Sequence, residues 1–590
     1  MRRVGFLLLL LLLGGLSLSG CFSRAGAKIV TPTPSPEPVA MFPTATFAAV
    51  FPTPPGGEIL MTSTPFIPTP TSPPVAVAGN VIPRVWISLT VPVELQASIS
   101  ALVNAGRFTW GGEGDAQVRL TGLPPGTQSP LSALWVYVPV ARFGTVANNV
   151  AINDILRYWR GDTTALAYLS NGQPPVFVTT ATIYYWMTLT YGLPAQNLPV
   201  QVVAPDQLAT AIWSRPAAWG MIPFDRLDRT LTALTVDGIN IFDRALNLDM
   251  WPFKEVFGIT GDASILAAVA EAVNATGLWQ ITNRDLDKLT LLIMTGVTAL
   301  TRATAFKMET IGINYPARDI APFFADGDII HTSNEVSFAK NCPYPNPYST
   351  DLVFCSAEKY FDLLKTIRVG VVELTGNHVN DWGVDAMNNS LDMYDKNNMV
   401  YFGGGRNTED ARKAAVVTHN GNTIAFLGCN PAGPPNAWAG PKRPGSAQCD
   451  DTFLAQEIPQ LKAKGYLVVM TLQFQEVYEY AVPREQQIFF AKYAKMGADI
   501  VMGSQAHQPQ GFGFVENAFI HYGIGNLFFD QMWSLGTRQM FADKLILYNG
   551  RHISTILYTG LIEDFARPRP MTSDERASFL ELIFSVSNLK

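Results

Sequence analysis

Clusters of imidazole, carboxylate and amide side chains recur in the C-terminal half of this chain, each just after a short apolar run. Asn334-Glu335 follows 328–332, and Gly376-Asn377-His378-Val379-Asn380-Asp381-Trp382-Gly383 follows 369–374. Gln473-Phe474-Gln475-Glu476 follows 466–472, Gly503-Ser504-Gln505-Ala506-His507 follows 499–502, and Asn526 lies within 522–530. Imidazole and carboxylate groups together can move protons or ligate a metal, while amides can hydrogen-bond a polyol or a carboxylate. Amides beside an aromatic ring, as at Gln473, Phe474 and Gln475, suit sugar or polymer binding. His331, His419, His521 and His552 lie outside these clusters, and His521, in the apolar stretch 519–522, reads as a core histidine.

The runs before the clusters read as buried strands, because they are short, apolar and rich in β-branched residues. With 289–295, 423–428 and a helix at 483–496 between Pro483 and Gly497, they predict an α/β region over 288–562. Polar groups at the C-terminal ends of strands sit where α/β sheets build sites. A second α/β region is expected at 80–260, with strands near 84–89, 133–140, 175–178 and 200–203 and helices at 93–103 and 153–159. An Ala-rich helical connector (261–287) joins the two, and a tail with a final helix fills 563–590.

Composition bounds the rest. Of 590 residues, 48% are hydrophobic and 15% charged, so large cores are possible and wholesale disorder is excluded. Net charge is −6, with no Lys/Arg run that would mark a nucleic-acid partner. Arg2 and Arg3 precede an apolar run and small residues ending in Leu18-Ser19-Gly20-Cys21, the layout of an export signal over 1–21. Residues 22–79 are expected to form an extended stalk, since 13 prolines fall between Thr31 and Val75. Beyond Cys21, the four cysteines Cys342, Cys355, Cys429 and Cys449 allow three disulfide connectivities, of which local pairing, Cys342–Cys355 and Cys429–Cys449, is the simplest. Zinc is the competing reading, but no pair has its short ligand spacing.

Three resemblances add to this. Leu18-Ser19-Gly20-Cys21 resembles the bacterial lipoprotein signal, which implies lipidation at Cys21 and a place on the outer face of the cell membrane. The segments 139–146, 156–161 and 217–227 resemble type 2 periplasmic substrate-binding proteins, which implies two lobes, a cleft for a possible small solute, and Arg142, Thr145 and Trp219 as cleft candidates. The clusters of the second region, with Gly403-Gly404-Gly405-Arg406-Asn407 and the segment 522–530, resemble the CapA family of poly-γ-glutamate and capsule-biosynthesis proteins, whose domain is similar to calcineurin-type metallophosphoesterases. The implied fold class is α/β: a two-lobed periplasmic-binding-protein-like domain followed by a calcineurin-like αββα sandwich.

That last resemblance also shows departures. Where the family has an Asp this chain has Val297, and where it has two His the chain has Gln473 and Gln505. A dinuclear metal site needs carboxylates to neutralise two dications, so at most one divalent metal is expected, with Glu335, Asn377 and His507 as its ligands. His378, Asp381 and His507 are the catalytic candidates. Asn334, Glu335, Asn377, Gln473, Glu476, Gln505 and Asn526 are the substrate-binding candidates. The expected role is a surface lipoprotein in synthesis, export or anchoring of an anionic polymer of the capsular or poly-γ-glutamate type, in contact with polymer or synthesis complex. A solute-binding or sensing lipoprotein, and a metal-dependent hydrolase of a phosphoester or γ-glutamyl amide, are the rivals.

Overall fold

The computed structural model describes residues 82–589. The expected export signal, Cys21 and stalk lie outside the described residues. Among the described residues, no helix is long and apolar enough to cross a membrane.

The first region is built on one sheet. Its strands run in the order Thr109–Trp110, Arg84–Ile87, Val118–Gly122, Lys254–Gly261, Ser132–Arg142, Ala218–Pro223, Val176–Thr179, Val200–Val202. Ser132–Arg142 carries the sheet across its middle. Its first half pairs with Lys254–Gly261 and its second half with Ala218–Pro223, both antiparallel. Eight of its eleven residues are buried, which explains the unbroken apolar run in the sequence. The stretch expected to be a connector is not free of the fold. Its helix, Ala263–Asn274, buries Val269, Ala270, Ala272 and Val273 in the core of the first region, where the Ala-rich face allows close approach.

The second region is an αββα sandwich. One sheet runs Val400–Phe402, Val371–Glu373, Ile329–Asn334, Leu289–Thr295, Gln539–Tyr548, Arg551–Glu563, Arg567–Pro570. The other runs Ala415–His419, Asn422–Cys429, Leu467–Leu472, Ile500–Gly503, Ala518–His521, Phe512–Val515. Alternation along Leu289–Thr295 shows how the layers divide. Leu292 and Met294 face the second sheet, sharing a core with its Phe426, Val469 and Met502. Ile293 faces outward, onto the helices Arg302–Thr310, Phe361–Thr366 and Val384–Lys396. Asp451–Ala463 and Arg484–Met496 cover the other outer face through Ile458, Leu461, Phe490 and Tyr493. Gly497, at φ +112°, closes the latter helix in the left-handed region that glycine adopts freely.

Both expected disulfides are present, Cys342–Cys355 and Cys429–Cys449. The last residues are not an appendage. Arg567–Pro570 extends the first sheet of the sandwich, and Ser573–Val586 seats Phe579, Leu580 and Ile583 in the core between the sheets. The two regions also share apolar interior. Leu289, Leu291, Ile546, Tyr548 and Ile553 belong to the core that contains Val85 and Trp135. The Phe143 ring meets the edges of Phe512, Phe514, Phe519 and Phe584 at 5.2–5.9 Å. Tyr548 OH donates to Asn283 O at 3.1 Å, and Arg244 pairs with Asp328 across the same junction.

Candidate functional site

The strand ends of both sandwich sheets converge on one cleft. Gly376 allows a close approach at its floor, since a Cβ there would stand 2.9 Å from Glu335 Cα. Gly296 and Gly503 bring neighbouring strands closer still, because a Cβ on either would stand 1.9 Å from a carbonyl oxygen.

Gln473 ties the cleft floor together. Its Nε2 donates to Glu335 Oε1 and to Asn377 Oδ1, both at 3.2 Å. Its Oε1 lies 3.1 Å from Ser504 Oγ, which lies 2.7 Å from Glu373 Oε1. Thr375 Oγ1 donates to the same carboxylate, and His331 Nε2 stands 3.3 Å from Glu373 Oε2. Burial pushes the fully enclosed Glu373 carboxyl up. The hydrogen bond and charge of His331, with the Ser504 and Thr375 hydroxyls, outweigh that and hold it below the usual carboxylate range. A buried polar network therefore runs from His331 through Glu373, Ser504 and Gln473 to Glu335.

Above this floor lie the two histidines. His378 Nδ1 meets Asp381 Oδ2 at 2.7 Å, and Asp381 Oδ2 also accepts from Phe354 N at 3.0 Å. Burial lowers the His378 pKa, but the hydrogen bond to Asp381 and the charges of Glu335, Asp381 and Glu476 raise it further, and the net direction is upward. His507 Nδ1 meets Asn526 Oδ1 at 2.8 Å, which orients the ring and leaves Nε2 3.8 Å from Glu476 Oε1. Tyr478 OH donates to Glu476. Phe354 packs on His378 at 4.5 Å and Phe529 on His507 at 5.4 Å between ring centres, and the guanidinium of Arg302 lies over both phenyl rings. Arg302 is itself held by Asp530 at 2.6 Å. Tyr478 and Trp533 form an exposed aromatic lip.

The structure sorts the candidates expected from sequence. Asn377, His378, Asp381 and Glu476 reach the open part of the cleft, while Glu335 and Gln473 are packed at its floor and His507 is buried above them. Asn334 does not face the cleft. As a strand residue it points to the helix side, donating to Val336 O and Tyr394 OH. Asn526 is fully buried and spends its amide on His507 O, Gln531 and Thr537 O, so it positions His507 rather than meeting a ligand. Gln505 is buried, and its Oε1 has no partner. The three expected metal ligands are divided: Glu335 and Asn377 meet through Gln473, while His507 pairs with Asn526 and Glu476. Sequence reading missed Glu373, His331, Ser504, Arg302 and Phe354. A lone Glu in an apolar strand was the available signal for the first.

These residues do not fit the metal implied by a metallophosphoesterase-type domain. Val297, where a ligating Asp is expected, is fully buried in an apolar cluster with Ala299, Val336, Phe354 and Phe529. The Gln473 N–H groups point at the oxygens of Glu335 and Asn377 and so occupy the lone pairs a cation would need. Among the described residues, no group of three or more His, Cys, Asp and Glu side chains is arranged to hold a metal ion.

The first region has a cleft of another kind. The starts of three helices meet at a cavity of about 50 Å³ lined by Glu94, Tyr137, Thr180, Ile183 and Arg226. Arg226 donates to Glu94 Oε1 at 2.6 and 2.9 Å. The expected cleft residues lie elsewhere. Trp219 is fully buried and stacked on Phe177, Arg142 lies over Trp213, and Thr145 faces the junction with the second region.

Residues 259–531 match the family model described as bacterial capsule synthesis protein PGA_cap. The chain is 25% identical over 317 residues to capsule biosynthesis protein CapA of Bacillus anthracis, covering 53% of this chain and 76% of that one. It is 25% identical over 218 residues to PGA biosynthesis protein CapA of Bacillus subtilis (strain 168), covering 36% of this chain and 57% of that one. Among solved structures, a 5'-nucleotidase precursor from Thermus thermophilus is similar at TM-score 0.30 and 13% identity, over 50% of this chain and 58% of that one. An ABC-type phosphate transport receptor from Vibrio cholerae is similar at TM-score 0.27 and 15% identity, over 33% of this chain and 96% of that one. The αββα assignment rests on the strand order and layers themselves. The stretch that matches the capsule synthesis proteins, 259–531, contains every residue of the sandwich cleft apart from the lip residue Trp533.

Proposed function

We propose that this protein binds a cell-surface polymer of the capsular or poly-γ-glutamate type during its synthesis, export or anchoring, at the outer face of the membrane and held by lipid on Cys21. In this reading the metallophosphoesterase-like cleft has exchanged hydrolysis for recognition. The observation that carries it is the floor of the cleft, where the Gln473 amide and the Val297 cluster stand in place of ligating charge. His378 and His507 would meet polymer carboxylates, Glu335 and Glu476 would accept from amide N–H or hydroxyl groups, and Tyr478 and Trp533 would pack against the chain.

The test is binding of poly-γ-glutamate of defined length to the full chain, with elemental analysis of protein purified without chelator. Saturable binding, weakened at least tenfold by His378→Ala/His507→Ala and unaffected by chelator, supports the reading. One equivalent of transition metal lost in that variant, with chelator-sensitive cleavage of a phosphoester or γ-glutamyl amide, overturns it in favour of a hydrolase. The solute-binding alternative draws on the first region, but its cavity is crossed by the Glu94–Arg226 pair.

A further inference from the structure

At the junction of the two regions lies a cavity of about 70 Å³, outside both clefts. Its polar lining includes Thr145, Asn148, Thr235 and Asn240 of the first region and Thr555 and Arg576 of the second, against an apolar wall that includes Phe143, Leu580 and Phe584. No carboxylate lines it. Arg576 donates from Nη1 to Val146 O at 2.8 Å, and among the described residues it has no acidic partner. Its neighbour Glu575 is engaged by Arg569 at 2.7 and 2.9 Å. Asn240 uses its Oδ1 to accept from Phe242 N, which leaves its Nδ2–H groups free. Asn148, exposed at the lip, has no side-chain partner among the described residues.

Arg576 is partly buried with no counter-charge beside it, and that burial lowers its pKa. Thr145 and Thr235 spend their hydroxyl hydrogens on Arg142 O and Asn149 Oδ1, so the donors left for an oxyanion are the rest of the Arg576 guanidinium and the Asn240 and Asn148 amides. The cavity is several times the roughly 10–15 Å³ that admits one water, which is room for a small oxyanion.

We infer that this junction is a binding site for a small tetrahedral oxyanion of phosphate or sulfate size, held by Arg576 and contacting both regions. Because its walls come from both regions, the bound anion stabilises their junction.

The test is thermal unfolding and titration calorimetry of the full chain with inorganic phosphate, sulfate and acetate, at ionic strength held constant with chloride. The unfolding midpoint should rise saturably with phosphate or sulfate and less with acetate. Arg576→Gln should weaken binding at least tenfold, and Arg576→Lys should retain part of it. Should Arg576→Gln fail to fold, Asn148→Asp provides the second arm: it adds a negative charge at the exposed lip and should weaken binding tenfold with its far-UV spectrum unchanged. No midpoint change with phosphate and sulfate in the wild-type chain, an equal response in both variants, or tighter binding of acetate would overturn the proposal.

Discussion

His378 with Asp381 in the cleft, and His521 with Asp543 between the sandwich sheets, are the same chemical pair at nearly the same separation, 2.7 and 2.6 Å. Their surroundings differ. The first keeps 20% of its imidazole and 10% of its carboxylate exposed, within reach of Glu335 and Glu476. The second is wholly buried, with the His521 ring 4.1 Å from Phe512 and 5.0 Å from Phe541. A His–Asp pair is thus a chemical tool where solvent and ligand can reach it, and a structural clamp where they cannot. His331 with Glu373 stands between the two cases, since it is fully buried yet joined to the cleft floor through Ser504 and Gln473.

The comparison can be broken first at its buried end. Asp543→Ala leaves His521 without its partner in an apolar interior and should cost about 3–5 kcal/mol of stability. Urea unfolding would show it, and a loss under about 1 kcal/mol would mean the pair is not a clamp.

The intermediate pair gives the next effect. Glu373→Gln removes the charge that gathers His331, Thr375 and Ser504, at about 1–3 kcal/mol of stability. It should also loosen Gln473 and weaken polymer binding, although Glu373 itself lies below the open cleft. Unchanged binding would detach the network from the site.

At the open end, Asp381→Asn should change stability by less than about 1 kcal/mol, as expected for a partly exposed pair. Its effect belongs in the function, with polymer affinity falling because His378 loses its orientation and the partner that raises its pKa. A variant as destabilised as Asp543→Ala would erase the distinction.

The smallest effect is in pH. His378 is raised in the folded state, so its contribution to stability is complete below the ordinary imidazole pKa of about 6.5 and is lost as pH rises through the raised value. Unfolding midpoints from pH 5 to 9 should show this slope in the wild-type chain and its absence in Asp381→Asn.

Much of this could be read from the chain. Short apolar runs before polar clusters located the strands at 289–295, 467–472 and 500–503, because burial on both faces imposes continuous hydrophobicity. The clusters named His378, Asp381, Asn377 and Glu476 by the same logic. What remained hidden depends on pairing across long sequence distance. Arg302 and Phe354 reach the cleft from elements far from the motifs, and Glu373 looks like any polar residue in a strand until His331 is placed beside it. Asn334 was misjudged because the alternating face of a strand cannot be fixed from a motif alone. The hairpin of Gln539–Tyr548 and Arg551–Glu563 escaped notice because Asp543, Lys544 and His552 interrupt its apolar pattern, yet all three are buried there, with Asp543 paired to His521 and Lys544 to Asp326.

That hairpin has a consequence for the order in which the chain is made. The interior begun by Val85 and Trp135 is completed by Ile546, Tyr548 and Ile553, which a ribosome adds more than four hundred residues later. One side of the first region's interior therefore stays open to solvent as the region emerges and is closed only when the hairpin arrives, while the rest of that core is drawn from residues made long before.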